Sequence, residues 1–350
     1  MMDRTTTKQV FVGSVPVGGG APVAIQSMTN TPTTDVSATL DQIHALHSAG
    51  CHIVRVSVYN TEAAEAFKKI RENTTVPLVA DIHFDYRMAL AAIAYGADKI
   101  RINPGNIGSK ERVFAVVAAA KEAGIPIRVG VNAGSLQKDI LKKHGGPTPQ
   151  ALVESAQEHI ALLESAGFYD MVLSIKASDV PTTVAACTAL SAQTSYAQHL
   201  GITEAGTPRF GTIKSSVGLG ALLSRGIGDT IRVSLAGDPC EEIPVAKGIL
   251  QSLGLASGPT VIACPTCGRT RINLVQLAEE VEAYITPIEK DITVAVMGCV
   301  VNGPGEAREA DYGIAGGDGV GLIFKKGTVV KKVSEAALIP ELIALIEQDQ

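Results

Sequence analysis

Short β-branched runs recur along the chain, each followed by a segment whose apolar residues repeat at helical spacing. The runs are VAIQSM (23–28), HIVRVSV (52–58), LVADIHF (78–84), KIRINP (99–104), IRVGVN (127–132), MVLSIKA (171–177), HLGITEA (199–205) and TIRVSLA (230–236). Helical stretches such as ATLDQIHALHSAG, AEAFKKIREN and ALVESAQEHIALLESAG lie between them, and several end at Gly, the residue that best tolerates a left-handed C-cap. Eight such units predict a (β/α)8 TIM barrel, because an open sheet usually has fewer strands. The loop LASGP sets a boundary near residue 257. Beyond it, residues 258–350 read as a small α/β domain: strand TVIAC, helix INLVQLAEEVEAYI, strand ITVAVMG, a glycine-rich loop, a hairpin around GLIFKKGTVVKK, and a last helix EAALIPELIALIEQ.

Polar residues interrupt the apolar runs toward their C-terminal ends. Residues i and i+2 of a strand face the same side. Arg55 therefore pairs with Ser57, Asp81 with His83, Arg101 with Asn103, Arg128 with Asn132 through Gly130, and Arg232 with Ser234. Lys176 and Glu204 take matching late positions on the sixth and seventh runs. A barrel strand is covered on both faces, so an unpaired charge there costs several kcal/mol. Such charges either snorkel outward as a stabilising network or ring the barrel mouth, where these folds carry their active sites. The mouth reading gives a cup of Arg55, Arg101, Arg128, Arg232 and Lys176 against Asp81 and Glu204. Forked guanidinium donors match phosphate oxygens, so a diphosphate suits the cup better than a monocarboxylate. Glu204 is the candidate for proton transfer, or a plain counter-ion. His83 could donate a hydrogen bond or a proton, and the NPGN turn (103–106) offers backbone amides to an anion.

Charge and composition narrow the partners. Thirty basic against 35 acidic residues leave a formal charge of −5, which argues against non-specific binding to nucleic acid or an anionic membrane. Aromatic residues make up only 4 % and Trp is absent, so a base-stacking surface is not expected. The opening MMDRTTTKQVFVG has no apolar signal core, and no run approaches a membrane span; the expectation is a cytoplasmic protein.

Six cysteines are too few for a disulfide framework in a chain of 350 residues. Cys51, Cys187 and Cys240 read as ordinary packed thiols. The other three form CPTC (264–267) and GC (298–299), each after an apolar strand, so Cys264, Cys267 and Cys299 are expected to emerge at one edge of the small sheet. Three thiolates could hold zinc or an iron–sulfur cluster. No His follows residue 199, which excludes a Cys3His zinc site within this domain. Glu306, just past Gly303-Pro304-Gly305, is the nearest further donor, either a weak hard ligand on a thiolate site or an exposed loop charge. A thioredoxin-like reading of CPTC fails, since it leaves the third cysteine over.

IQSMTNTPT (25–33), PLVADIHF (77–84), KIRINPGN (99–106), GDTIRVSLA (228–236), CPTCGR (264–269) and GCVVNGPGE (298–306) together resemble the bacterial 4-hydroxy-3-methylbut-2-enyl diphosphate synthase family in its two-domain form. The resemblance covers nearly the whole chain, in order. It implies an iron–sulfur oxidoreductase of the methylerythritol phosphate route to isoprenoids, acting on 2-C-methyl-D-erythritol 2,4-cyclodiphosphate. It also implies a 4Fe-4S cluster on Cys264, Cys267, Cys299 and Glu306, with flavodoxin or ferredoxin as electron donor. Carried over position by position, Arg55, Arg101, Arg128, Lys176, Arg232 and Ser234 would hold the diphosphate. Asp81, His83, Asn103 and Asn132 would line the site, and Glu204 would be the acid/base. The linker LASGPT spans at most about 20 Å extended, a poor reach around a barrel. A head-to-tail homodimer is therefore expected, each cluster domain capping the partner's barrel. The alternatives are a non-redox barrel with a structural zinc, and a pterin-binding synthase.

Overall fold

The computed structural model describes residues 4–349 except 289, 300–304, 306 and 318. The chain separates into two compact units, Met1–Leu255 and Ala256–Gln350. No helix among the described residues is long and apolar enough to cross a membrane.

The first unit opens with an antiparallel hairpin, β1 (Val10–Val12) and β2 (Val15–Val17). Eight parallel strands follow and close into a barrel: β3 (Ala24–Met28), β4 (Ile53–Ser57), β5 (Leu78–Asp81), β6 (Lys99–Ile102), β7 (Ile127–Asn132), β8 (Met171–Lys176), β9 (Ala197–Leu200) and β10 (Thr230–Ile231). The predicted barrel is borne out. Closure runs through β10, which pairs with β9 on one side and β3 on the other. Valine, isoleucine and leucine from the outer strand faces pack against the surrounding helices in one continuous core. The hairpin seals the floor: Val10, Val12 and Val17 pack on Ala24, Ile53, Val79, Val172 and Ala197 from the first turns of five strands.

The seventh and eighth strands are shorter than the sequence pattern suggests. Past Leu200 the chain turns outward, with left-handed backbone at Glu204 (φ 51°) and Gly206 (φ 118°), a conformation no strand residue adopts. Arg232 N–H still donates across to Leu200 O at 2.9 Å, and beyond it the backbone leaves the ladder: Leu235 N–H donates to the Glu242 carboxylate at 3.3 Å, and Ala236 N–H to Gly206 O at 3.0 Å. Glu204, Arg232 and Ser234 thus stand on loops, as do His83 and Asn103, which follow β5 and β6.

The second unit is a five-stranded sheet in the order β11 (Thr260–Ala263), β12 (Thr293–Met297), β13 (Tyr312–Gly316), β14 (Val320–Lys325) and β15 (Thr328–Ser334). The first three strands are parallel and the last two join antiparallel. Helices Leu274–Ile285 and Leu338–Gln348 bury one apolar face on it. Strand β13 lies in what the sequence reads as a glycine-rich loop. Its glycines serve packing: Gly313 makes room for the Phe324 ring and Gly316 for the Ile272 side chain.

Candidate active site

At the C-terminal ends of the barrel strands lies a cavity of about 340 Å³, within the range of small-ligand sites. Arg55, Asp81, His83, Arg101, Arg128, Asn132, Lys176, Arg232 and Ser234, all singled out from the sequence, line it. Five cations meet one carboxylate on this surface.

Asp81, the last residue of β5, joins two of the cations. Arg101 Nη1 lies 3.1 Å from its Oδ1 and Arg55 Nε 3.5 Å from its Oδ2; half-exposed His83 is 3.9 Å from Oδ2. Burial alone would raise this carboxyl, but Arg55 and Arg101 outweigh it and hold the pKa at about 2. Gly130 on β7 leaves the space that Arg101 occupies, since a Cβ there would stand 2.9 Å from Nε. Arg55 Nε and Nη2 otherwise point at the Met28 sulfur, at 3.1 and 2.8 Å, and Arg232 Nη1 reaches the same atom at 3.6 Å. A thioether is a weak acceptor, so these donors stay ready for a better one.

Arg128 is 1 % exposed, and its Nε and Nη1 have no hydrogen-bond partner among the described residues. Burial, then the charges of Arg55 and Arg101, pushes it well below the ordinary guanidinium value. Burial likewise brings Arg55 down to about 10, despite Asp81. Lys176 is depressed by burial and then by Arg128 and Arg55. Below the cup, Lys99 is fully buried and donates to Gln26 Oε1 at 3.4 Å. An interior this rich in donors and this poor in acceptors favours an anion of more than one negative charge.

Several contributors escaped the sequence reading. Ser174 lines the cavity two residues before Lys176 on β8, so parity alone could have found it. Met28, Asn106, Ser135 and Thr203 also line it. In the NPGN turn the exposed role falls to Asn106. Asn103 is 4 % exposed, accepts from Gly105 N–H at 3.1 Å and donates to Ser135 Oγ at 3.3 Å, so it builds the turn from behind. Glu204 is exposed next to Thr203 and does not itself line the cavity. Glu242, the first residue of helix Glu242–Ser252, anchors Arg232 and carried no signal in the sequence.

In the second unit, parallel pairing of β11 with β12 sets Ala263 opposite Val296. This brings the Cys264 thiol to the residue before Cys299: Gly298 N–H donates to Cys264 Sγ at 3.2 Å. Cys267 is exposed on the following turn, where the Arg269 backbone N–H, followed by hydrogen bonds from the Arg269 and Thr270 side chains, lowers its pKa. Among the described residues no three Cys, His, Asp or Glu side chains already form a metal-holding group. Cys267 N–H donates to Thr270 Oγ1 at 3.1 Å within that turn. Glu306 lies outside the described residues. The donor set still fits an iron–sulfur group, with a soft thiol trio in which one sulfur accepts an amide and another favours its thiolate. By contrast, burial pushes Cys51 and Cys187 up to about 12, so both are inert.

The GcpE TIM-barrel domain matches residues 7–247, and the GcpE protein C-terminal domain matches residues 260–348. The chain belongs to the GcpE family. Among GcpE relatives, the 4-hydroxy-3-methylbut-2-en-1-yl diphosphate synthase (flavodoxin) of Clostridium perfringens is 59 % identical over 347 residues, covering 99 % of each chain. That of Caldanaerobacter subterraneus subsp. tengcongensis is 57 % identical over 346 residues, covering 99 % of this chain and 98 % of its own. The family resemblance read from the sequence is thereby borne out. Among solved structures, Yersinia pestis dihydropteroate synthase superposes with a TM-score of 0.51 at 13 % identity, over 70 % of this chain and 98 % of that one. That likeness is one of fold alone.

Proposed function

We propose that this chain carries out the reaction for which its GcpE relatives are named, converting 2-C-methyl-D-erythritol 2,4-cyclodiphosphate to 4-hydroxy-3-methylbut-2-enyl diphosphate. Two electrons and two protons enter, one ring C–O bond opens, and a hydroxyl leaves as water. Flavodoxin or ferredoxin supplies the electrons. The observation that carries this reading is the cup of five cations, in which Arg55 Nη2 faces only the Met28 sulfur and Arg128 Nε and Nη1 meet no acceptor among the described residues.

Arg55, Arg101, Arg128, Lys176, Arg232 and Ser234 would bind the diphosphate oxygens, with Asp81 holding Arg55 and Arg101 apart at fixed spacing. Asn132 and His83 would position the organic ring, and Asn103 would do so through the turn it braces. Glu204, on its left-handed loop beside the cavity, would deliver the proton to the departing hydroxyl. Cys264, Cys267, Cys299 and Glu306 would hold a 4Fe-4S cluster, which when bound supplies single electrons at low potential. On this reading the electrons come from the cluster domain and the substrate is held by the cup. The short linker after the barrel favours a homodimer in which each cluster domain serves the partner's cup.

Anaerobic purification tests the reading. Brown protein with iron and sulfide, turning over the cyclodiphosphate with reduced flavodoxin, is the expected result. A colourless protein with stoichiometric zinc would overturn it. Mixing a Cys264→Ser subunit with an Arg101→Ala subunit should restore partial activity if the cups are completed in trans.

A further inference from the structure

Lys176 has no carboxylate partner among the described ion pairs, although it is buried at the floor of the cup. Its ammonium meets β9 instead. Lys176 Nζ lies 3.3 Å from His199 Nε2, and His199 Nδ1 lies 3.4 Å from Thr230 Oγ1 on β10. Gly201, two residues beyond His199, completes the seat by having no side chain: a Cβ there would stand 2.6 Å from Nζ and 3.1 Å from Cε. The segment His199-Leu200-Gly201 thus offers one acceptor and one open slot to the same lysine.

Protonation in this seat is constrained by chemistry. An ammonium has three N–H donors and no lone pair, so the bond requires a bare Nε2 on the imidazole. The ring proton then sits on Nδ1, toward Thr230 Oγ1. A second ring proton is opposed from every side. His199 is fully buried and faces Arg55 on β4, Lys99 on β6, Arg128 on β7 and Lys176 on β8. Lys176 faces Arg128, Arg55, Arg232 and Arg101, while Asp81, the carboxylate on this surface, is engaged by Arg55 and Arg101.

We propose that His199 is a positioning residue for Lys176: its neutral imidazole accepts the lysine's hydrogen bond through Nε2 and keeps the ammonium charged and forward at the cup floor. The inference rests on the cup being a diphosphate site. Among six cations a lysine loses its proton more readily than an arginine does. An uncharged acceptor offsets this without adding a carboxylate that would repel the incoming anion. A carboxylate at position 199 would be the obvious partner for Lys176 elsewhere, and here it would oppose binding.

Removing the acceptor removes a hydrogen bond to a charged group, which lowers the lysine pKa further. The experiment is calorimetric titration of the intact protein with inorganic pyrophosphate across the alkaline range, for wild type, His199→Leu and His199→Gln. Pyrophosphate's own ionisation is common to all three and cancels. His199→Leu should lose affinity at a pH about one unit lower than wild type, bind roughly tenfold more weakly above the wild-type limb, and match wild type at lower pH. His199→Gln, which can present an amide oxygen at the same place, should restore the wild-type limb. An unshifted limb in a folded His199→Leu protein overturns the proposal, as does failure of glutamine to rescue. Nitrogen-15 spectra of histidine-labelled wild type provide an independent reading, whether or not the leucine variant folds. A neutral ring protonated at Nδ1 is expected; a ring protonated at Nε2 or at both nitrogens overturns the assignment. If wild type shows the expected ring but binds no pyrophosphate, the diphosphate reading of the cup fails and the lysine seat stands.

Discussion

Glu242 grips Arg232 with both carboxylate oxygens, accepting from Nε at 3.2 Å and from Nη2 at 3.1 Å. The same carboxylate accepts from Ser27 Oγ at 2.7 Å and from Leu235 N–H at 3.3 Å. One helical residue therefore ties the first strand, the eighth loop and a cup cation together, and it is 2 % exposed. Replacing it with alanine leaves a guanidinium unpaired, a change that costs about 3–5 kcal/mol in buried pairs. Urea denaturation of Glu242→Ala should show a loss in that range, whereas Glu242→Gln should lose less because it keeps an acceptor for Ser27.

Arg128 predicts the opposite sign. Its unsatisfied buried donors burden the empty protein, so Arg128→Met should stabilise the ligand-free fold by about 1–3 kcal/mol. The same variant should lose pyrophosphate affinity by tenfold or more. A thermal melt and a binding titration on one sample check both halves, and a variant that both melts lower and binds normally would contradict the account.

Asp81 sets an acid limit. Its folded pKa of about 2 lies below the ordinary 3.8, so the ionised carboxylate contributes stability that is complete above pH 4 and lost as pH falls toward 2. The difference corresponds to about 2 kcal/mol. Denaturation free energy measured between pH 5 and 2 should fall by that much more in wild type than in Asp81→Asn. Parallel curves for the two proteins would show that the pair with Arg101 does not persist in solution.

Glu204 separates chemistry from binding. Glu204→Gln should bind substrate with wild-type affinity and lose at least a hundredfold in turnover, the usual size of a proton-transfer contribution. Because the residue sits at φ 51°, Glu204→Gly should raise stability by up to about 1 kcal/mol while being equally inactive. Retained turnover in either variant would return Glu204 to a loop charge.

The barrel and most of the cup were legible because apolar strands ending in charge leave few other interpretations. Asp81, Arg101, Arg128 and Lys176 declare themselves by sitting where nothing apolar would tolerate them unpaired. The pattern failed where backbone overrode it: HLGITEA alternates like a strand, yet the left-handed backbone at Glu204 ends the ladder early. It failed again at Tyr312–Gly316, whose glycines look like a loop but admit neighbouring side chains into a strand. Glu242 was invisible for another reason. An acidic residue at the start of a helix is ordinary, and only the fold brings it to Arg232. Lys99 hid inside a run whose visible charge was Arg101.

The barrel closes through two residue pairs, Ala24 with Thr230 and Ile25 with Ile231. A ribosome delivers β3 long before β10, so through most of synthesis one edge of β3 waits without its neighbour, a hazard for any parallel sheet. Gln26 and Ser27 in its centre make that waiting edge less adhesive than a run of valines would be. For the nascent chain the seam is a timer: the closed floor, the cup and the seat of Lys176 all come into being together, when two late residues find two early ones.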